Sequence, residues 1–208
     1  MPTTHDILYG LQALANDYKV FAILWHFLWY CLVVALLFRL RPQNRLLAVL
    51  MSLPLLSVSI FAWVQGNPFN GILFILSFVS VLIVGLKAPR TQVKISSGFY
   101  ASLGMFMLLF GLVYPHFLED PTWWEYLYAS PAGLIPCPSL SVVIGWLLIF
   151  RGFGSSYLRL ILIFLGLFYG LFGVFRLSVL LDIFLILGSA GLLVQHIFEN
   201  KSTPLPGK

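Results

Sequence analysis

The feature that most constrains this chain is a succession of long apolar runs separated by short polar breaks. Seven can be read: Val20–Phe38, Leu46–Gln65, Gly71–Leu86, Phe99–Leu118, Leu134–Phe150, Leu160–Arg176 and Asp182–Phe198. Each approaches the ~20 residues that carry a helix across a bilayer. An unpaired backbone N–H or C=O in hydrocarbon costs several kcal/mol, so every run is expected to be helical. The expected fold class is therefore all-α, a polytopic transmembrane bundle of seven helices, with the lipid bilayer as its main partner. Composition agrees: 9% of the 208 residues are charged and 60% are hydrophobic, with a mean hydropathy of +0.97. A soluble domain carries roughly a quarter charged residues. One bundle over 20–198 leaves 199–208, with two prolines and a glycine, as a short cytoplasmic tail.

The basic residues set the expected orientation. Arg39, Arg41 and Arg45 follow the first run, Lys87, Arg90 and Lys94 the third, Arg151 and Arg159 the fifth, and Lys201 and Lys208 the seventh. All fall on one side of an alternating topology, and the other side holds only Lys19 and Arg176. The positive-inside rule then gives an N-out/C-in arrangement, with Trp25, Trp63, Trp123 and Trp124 near the outer interface. The net charge of +5 is explained by these loop clusters, and nucleic acid is not an expected partner. Residues 1–19 lack the basic start and short apolar core of a cleavable signal peptide. Ile7, Leu11, Leu14 and Tyr18 form one helical stripe that Asp6, Gln12, Asn16 and Asp17 avoid, the pattern of an amphipathic helix lying on the membrane interface. Thr3 and Asp6 have the spacing to cap its start.

The outer loop between the fourth and fifth runs holds most of the chemistry-bearing residues. Glu119, Asp120 and Glu125 are carboxylates in a loop without a basic residue, which would favour cations at an outer mouth. Cys137 lies in a Pro-Cys-Pro turn, and Pro138 is expected to delay the fifth helix to Pro138 or Ser139, with the thiol at its mouth. A thiol at a helix amino terminus is a candidate metal ligand, and the topology puts His26, His116 and Cys137 in the same outer half. Such donors suit copper or zinc, and paired imidazoles suit haem. No HxxxH, CxxC or Glu-x-x-His spacing supports these donors, and a small buried cysteine in a rigid turn explains Cys137 equally. The presence of a cofactor stays open.

Arg176 and Asp182 are the charged residues placed within the last two apolar runs, where ionised groups tend to pair or face a cavity. They are expected to clamp the outer hairpin or to join a polar cavity. No other run carries a charge near its centre, which disfavours a proton relay or voltage sensor. Gly166, Gly170 and Gly173, with Gly188 to Gly191, are expected to pack the last two helices closely. Pro54 with Ser52, Ser57 and Ser59 marks a kink in the second helix.

The stretch Gly133-Leu134-Ile135-Pro136-Cys137-Pro138-Ser139, with Gly145 after it, resembles an uncharacterised family of bacterial multi-spanning membrane proteins, a domain of unknown function with a Gly-x-x-Pro-Cys-Pro-Thr signature. Tyr114-Pro115, the stretch Tyr169–Gly173 and Asp182 are similar too, so the likeness covers the carboxyl-terminal half. Ser139 stands where that family usually has Thr, keeping the hydroxyl. The resemblance implies a multi-pass protein of the bacterial inner membrane in which Cys137 matters, and it implies no mechanism. Three functions follow as expectations: small-solute or cation transport through an acidic outer vestibule, a non-catalytic subunit or assembly factor of a larger membrane complex or homo-oligomer, and a metal- or haem-binding membrane protein. An enzyme is disfavoured, because no nucleophile and base stand in recognisable register.

Overall fold

The computed structural model describes residues 3–201, without the side chains of 200 and 201, and it is all-helical, with no strand among the described residues. The tail beyond 201 lies outside the described residues. The helices are α1 (Thr4–Asp17), α2 (Lys19–Leu37), α3 (Asn44–Val64), α4 (Pro68–Lys87), α5 (Gly98–Val113), α6 (Glu125–Ala129), α7 (Pro136–Ile149), α8 (Ser156–Leu171) and α9 (Ile183–Lys201). Five described segments, α2, α3, α4, α8 with the turn after it, and Leu180–Glu199, are long and apolar enough to cross a membrane. α5 and α7 are apolar but shorter.

The order of burial explains the short α7. Nearly every residue from Pro136 to Ile149 is buried, and α5, α8, α9 and α3 surround it. A helix apolar on every side belongs in the middle of a bundle. It is ~21 Å long at 1.5 Å per residue, and other protein segments enclose both its ends. The lipid-like surface is on the outer helices, where Leu24, Phe27 and Leu37 on α2, Ile72 and Leu76 on α4, and Phe164 and Leu187 on α8 and α9 are exposed. Exposed apolar area on this scale is suited to hydrocarbon rather than water.

Local chemistry sets the helix ends. Thr3 and Asp6 form a reciprocal capping box at α1. The fourth run stops at Val113, short of the expected Leu118, because Tyr114 precedes a proline and leaves helical geometry. α7 starts earlier than expected, at Pro136. Pro136 and Pro138 both sit in its first turn, where the missing N–H groups would have had no helical acceptor. Cys137 is therefore inside that turn. α8 begins at Ser156, with the Ser155 hydroxyl accepting from the Leu158 N–H at 3.4 Å.

α5 and α7 cross with backbones in contact. A Cβ on Gly145 would lie 2.7 Å from both the Gly104 carbonyl oxygen and the Leu108 nitrogen, and one on Gly111 would lie 2.7 Å from the Pro138 carbonyl oxygen. Gly104 and Gly111 are seven residues apart, on one face of α5. At the end of the bundle that holds the 39–43, 88–97 and 150–155 connections, polar ties add to the packing of Val93, Phe150 and Phe153. Asn44 donates to the Thr91 carbonyl at 3.1 Å, and Gln195 donates to the Ser96 hydroxyl at 2.9 Å. α1, the 65–67 turn, 114–135 and 172–182 gather at the opposite end.

Gly145→Ala should destabilise the protein by about 1–3 kcal/mol, the range for overpacking a close contact. Gly98→Ala should be neutral or slightly stabilising, since nothing lies within 4 Å of the added carbon. Unfolding of both variants in detergent micelles, compared with the parent, measures the difference.

Candidate functional site

Asp182 organises the end of the molecule near α1. After Leu171 the α-helix widens into a π-helical turn, Phe172–Arg176, and Ser178 takes a left-handed φ of 59°. The Val179 N–H then donates to the Gly173 carbonyl at 2.9 Å. This reversal needs neither glycine nor proline at the corner, which is why the sequence between the last two runs shows no turn signal. It brings Asp182, in a 3-10 turn over Leu180–Asp182, back beneath α5 and α7.

The Asp182 side chain is 2% exposed, and each carboxylate oxygen has a donor. The Tyr114 hydroxyl donates to Oδ1 at 2.8 Å, and the Cys137 thiol donates to Oδ2 at 3.2 Å. Gly173 makes the space, since a Cβ there would sit 1.7 Å from Oδ2. A buried carboxylate without partners is strongly disfavoured, so these contacts hold the end of α5, the start of α7 and the turn after α8 in one arrangement. Nearby, the Tyr169 hydroxyl donates to Asn70 Oδ1 at 2.8 Å.

Above this cluster is a cavity of about 470 Å³. Ile7, Leu11 and Leu14 of α1 form one wall, Val58 and Ala62 of α3 another, and Cys137, Tyr169 and Asp182 contribute polar atoms, with Gln65, Asn67 and Asn70 at the α3–α4 turn. The Gly133 turn leads into the lining residues Leu134, Ile135, Pro136 and Cys137. Its φ is 89°, and an added Cβ would fall 2.2 Å from the Trp25 ring, while its N–H donates to the Ser139 hydroxyl at 2.8 Å. An apolar pocket with a few convergent polar groups is the usual form of a small-molecule site.

The other residues singled out in the sequence go elsewhere. Arg176 does not pair with Asp182. Its guanidinium donates to the Thr4 hydroxyl and the side chain stays exposed, because the π-helical turn points it towards α1. His26 is buried with both ring nitrogens 2.8 Å from carbonyl oxygens, those of Ala22 and Leu112, and so it joins α2 to α5. His116 packs against Phe117 with ring centroids 4.2 Å apart and the ring planes tilted by 57°. Burial holds its imidazole below its ordinary pKa, favouring the neutral form. His26, His116 and Cys137 thus do not converge, and no group of three His, Cys, Asp or Glu among the described residues is placed to hold a metal ion.

The acidic loop has partners that its sequence does not reveal. Lys19 Nζ is 3.0 Å from Glu125 Oε1, so the expected absence of a compensating cation is corrected for Glu125. Gln12 donates to Glu119 at 3.4 Å, and the Glu119 N–H donates to Asn16 Oδ1 at 3.1 Å. Asp120 is exposed with φ of 41°. None of Glu119, Asp120 and Glu125 borders the cavity. Tyr114 and Gly173 are members that sequence reasoning did not assign to the site, since Gly173 is read there only as a packing glycine and Tyr114 only as part of the resemblance. The available signals were a tyrosine hydroxyl that needs a partner when buried and a glycine in register with an isolated acid.

Tyr114→Phe removes one donor from a buried carboxylate and should cost about 1–3 kcal/mol. Cys137→Ser keeps a donor and should cost less. Thermal unfolding of the two variants in the same detergent orders them, and equal, negligible effects would show that Asp182 does not depend on these groups. No protein-family model, curated protein or solved structure matches this chain.

Proposed function

We propose that this chain is a multi-pass protein of the bacterial cytoplasmic membrane that binds a small, mostly apolar solute from the outer side, as the recognition step of a solute carrier. In this reading α2–α5 and α7–α9 cross the bilayer with the amino terminus outside and the carboxyl terminus inside. α1 lies along the outer interface. The clustering of Arg39, Arg41, Arg45, Lys87, Arg90, Lys94, Arg151 and Arg159 at one end of the bundle supports the orientation. The apolar stripe of α1, turned inward at Leu14 while Tyr9 is exposed, supports its interfacial placement.

One observation carries the binding reading: the Asp182–Cys137 cluster lies at the base of a cavity whose lining comes entirely from the α1 end of the molecule. The glycine crossing of α5 and α7 leaves no passage between those two helices. That geometry suits a ligand that enters and leaves by the same mouth. The acidic loop lies off the cavity, and the charged groups that do line it, Asp6 and Asp182, are already hydrogen-bonded, Asp6 to Thr3 and Asp182 to Tyr114 and Cys137, so the pocket suits a neutral solute with an apolar body. Its polar end would meet Asp182, Cys137 and Tyr169.

The pocket can be filled in place. Ala62 faces it, and Ala62→Phe should fold without the loss of about 1–3 kcal/mol that overpacking a dense core brings. A panel of neutral amphiphiles is screened by thermal unfolding of the purified parent. A solute present at about 100 times its Kd should stabilise the parent by about 2.7 kcal/mol, a rise of roughly 5–10 °C, and leave Ala62→Phe unmoved. Equal shifts in parent and variant would place binding elsewhere. The orientation has its own check: a fluorescent protein fused to the carboxyl terminus should fluoresce, and alkaline phosphatase fused there should be inactive. The reverse pattern would invert the topology.

A further inference from the structure

A second cavity, of about 370 Å³, lies at the opposite end of the bundle and differs in kind from the first. Its charged lining residues are Lys94, Arg151, Arg159 and Glu199, three cations against one carboxylate, and Asn44, Thr91, Gln92 and Ser156 add neutral polar groups. We propose that this cavity is a binding site for a phosphate-bearing anion, supplied either by the headgroup of an anionic lipid or by a soluble phosphate.

The central residue is Arg159, which is 4% exposed. Its Nη1 donates to Glu199 and, at 3.4 Å, to the Arg151 carbonyl, and its Nη2 donates to the Ser156 hydroxyl at 3.4 Å. Its Nε has no hydrogen-bond partner, although it is fully enclosed. Buried guanidinium donors are ordinarily satisfied, and an orphan among them points to a missing partner. The fork geometry of Arg matches phosphate and carboxylate oxygens. With Lys94 and Arg151 exposed at the same cavity, an entering anion meets two exposed cations and one buried one.

The backbone is shaped to hold this arrangement. Arg151, Gly152, Phe153 and Gly154 all have left-handed φ, between 52° and 72°. This turn buries Phe153 in the core and leaves Arg151 outside. Gly152 lies against Arg159, where an added Cβ would come within 2.5 Å of Cγ, so the missing side chain makes room for the arginine stem. Ser156 and Arg159 also belong to the first turn of α8, whose positive dipole end favours an anion.

The surroundings fit a lipid as well as a solute. Ile95, Tyr157, Leu160 and Phe198 are each next in sequence to a lining residue and are exposed, so acyl chains would find apolar surface beside the polar cavity. The shared chemistry is the phosphate, and the experiment separates the two sources.

The full-length protein is purified in a neutral detergent and titrated with inorganic phosphate by calorimetry. In parallel it is reconstituted with phosphatidylcholine containing phosphatidylglycerol, and retained lipid is measured by native mass spectrometry. The test variant is Lys94→Gln with Arg151→Gln, which leaves the Arg159–Glu199 pair intact. The control is Arg41→Gln with Arg90→Gln, basic residues of the same end that do not line the cavity. Saturable phosphate binding weakened at least about tenfold in the test variant, the scale for a lost charge-assisted hydrogen bond, and unchanged in the control supports a soluble ligand. Selective retention of phosphatidylglycerol with the same dependence on the variants supports a lipid headgroup at the same site. Absence of saturable binding to either probe, or equal weakening in test and control, overturns the proposal.

Discussion

A carboxylate buried among apolar helices needs a hydrogen-bond donor at each oxygen. Asp182 meets that condition through Tyr114 and Cys137, and Gly173 supplies the space. Each partner belongs to a different part of the chain. The contact therefore fixes where α5 stops, where α7 starts and how the chain turns between α8 and α9. The cavity lies between this cluster and the walls formed by α1 and α3.

The two ends of the bundle consequently carry different chemistry. The end near α1 is an apolar pocket with a few polar atoms at its base, suited to a neutral molecule with an apolar body. The far end is a polar cavity dominated by cations, suited to an anion. Between them the α5–α7 crossing is dense, with carbonyl oxygens 2.7 Å from where a Cβ would stand. No solute passes between those two helices unless they separate.

The architecture was legible wherever one residue type forces one outcome. Apolar runs near bilayer length gave helices, Thr3 and Asp6 gave a capped start, and the small residues at Gly166 and Gly170 do face α9. Asp182 stood out because an acid in an apolar run needs a partner. Its actual partners were not legible, because Tyr114 and Cys137 are 68 and 45 residues away in the chain and Arg176 was the nearest opposite charge. The same limit applies to Glu125, whose cation is Lys19 in another helix. The reversal after the π-helical turn was hidden because residues 177–181 contain no glycine or proline, and Ser178 takes the left-handed φ instead. His26 and His116 were grouped with Cys137 by depth alone, and depth does not fix direction around a helix axis.

The central claim is that Cys137 lies at the base of a pocket open to the outer side of the membrane. Its reaction with a small membrane-impermeant methanethiosulfonate, added to intact cells that express a Cys31→Ser variant, tests this most directly. Labelling is expected, more slowly than for a fully exposed thiol, and it should be strongly suppressed when Ala62→Phe fills the cavity. Cys137 that stays unlabelled until the protein is denatured, or that reacts equally fast with the cavity filled, would contradict the claim.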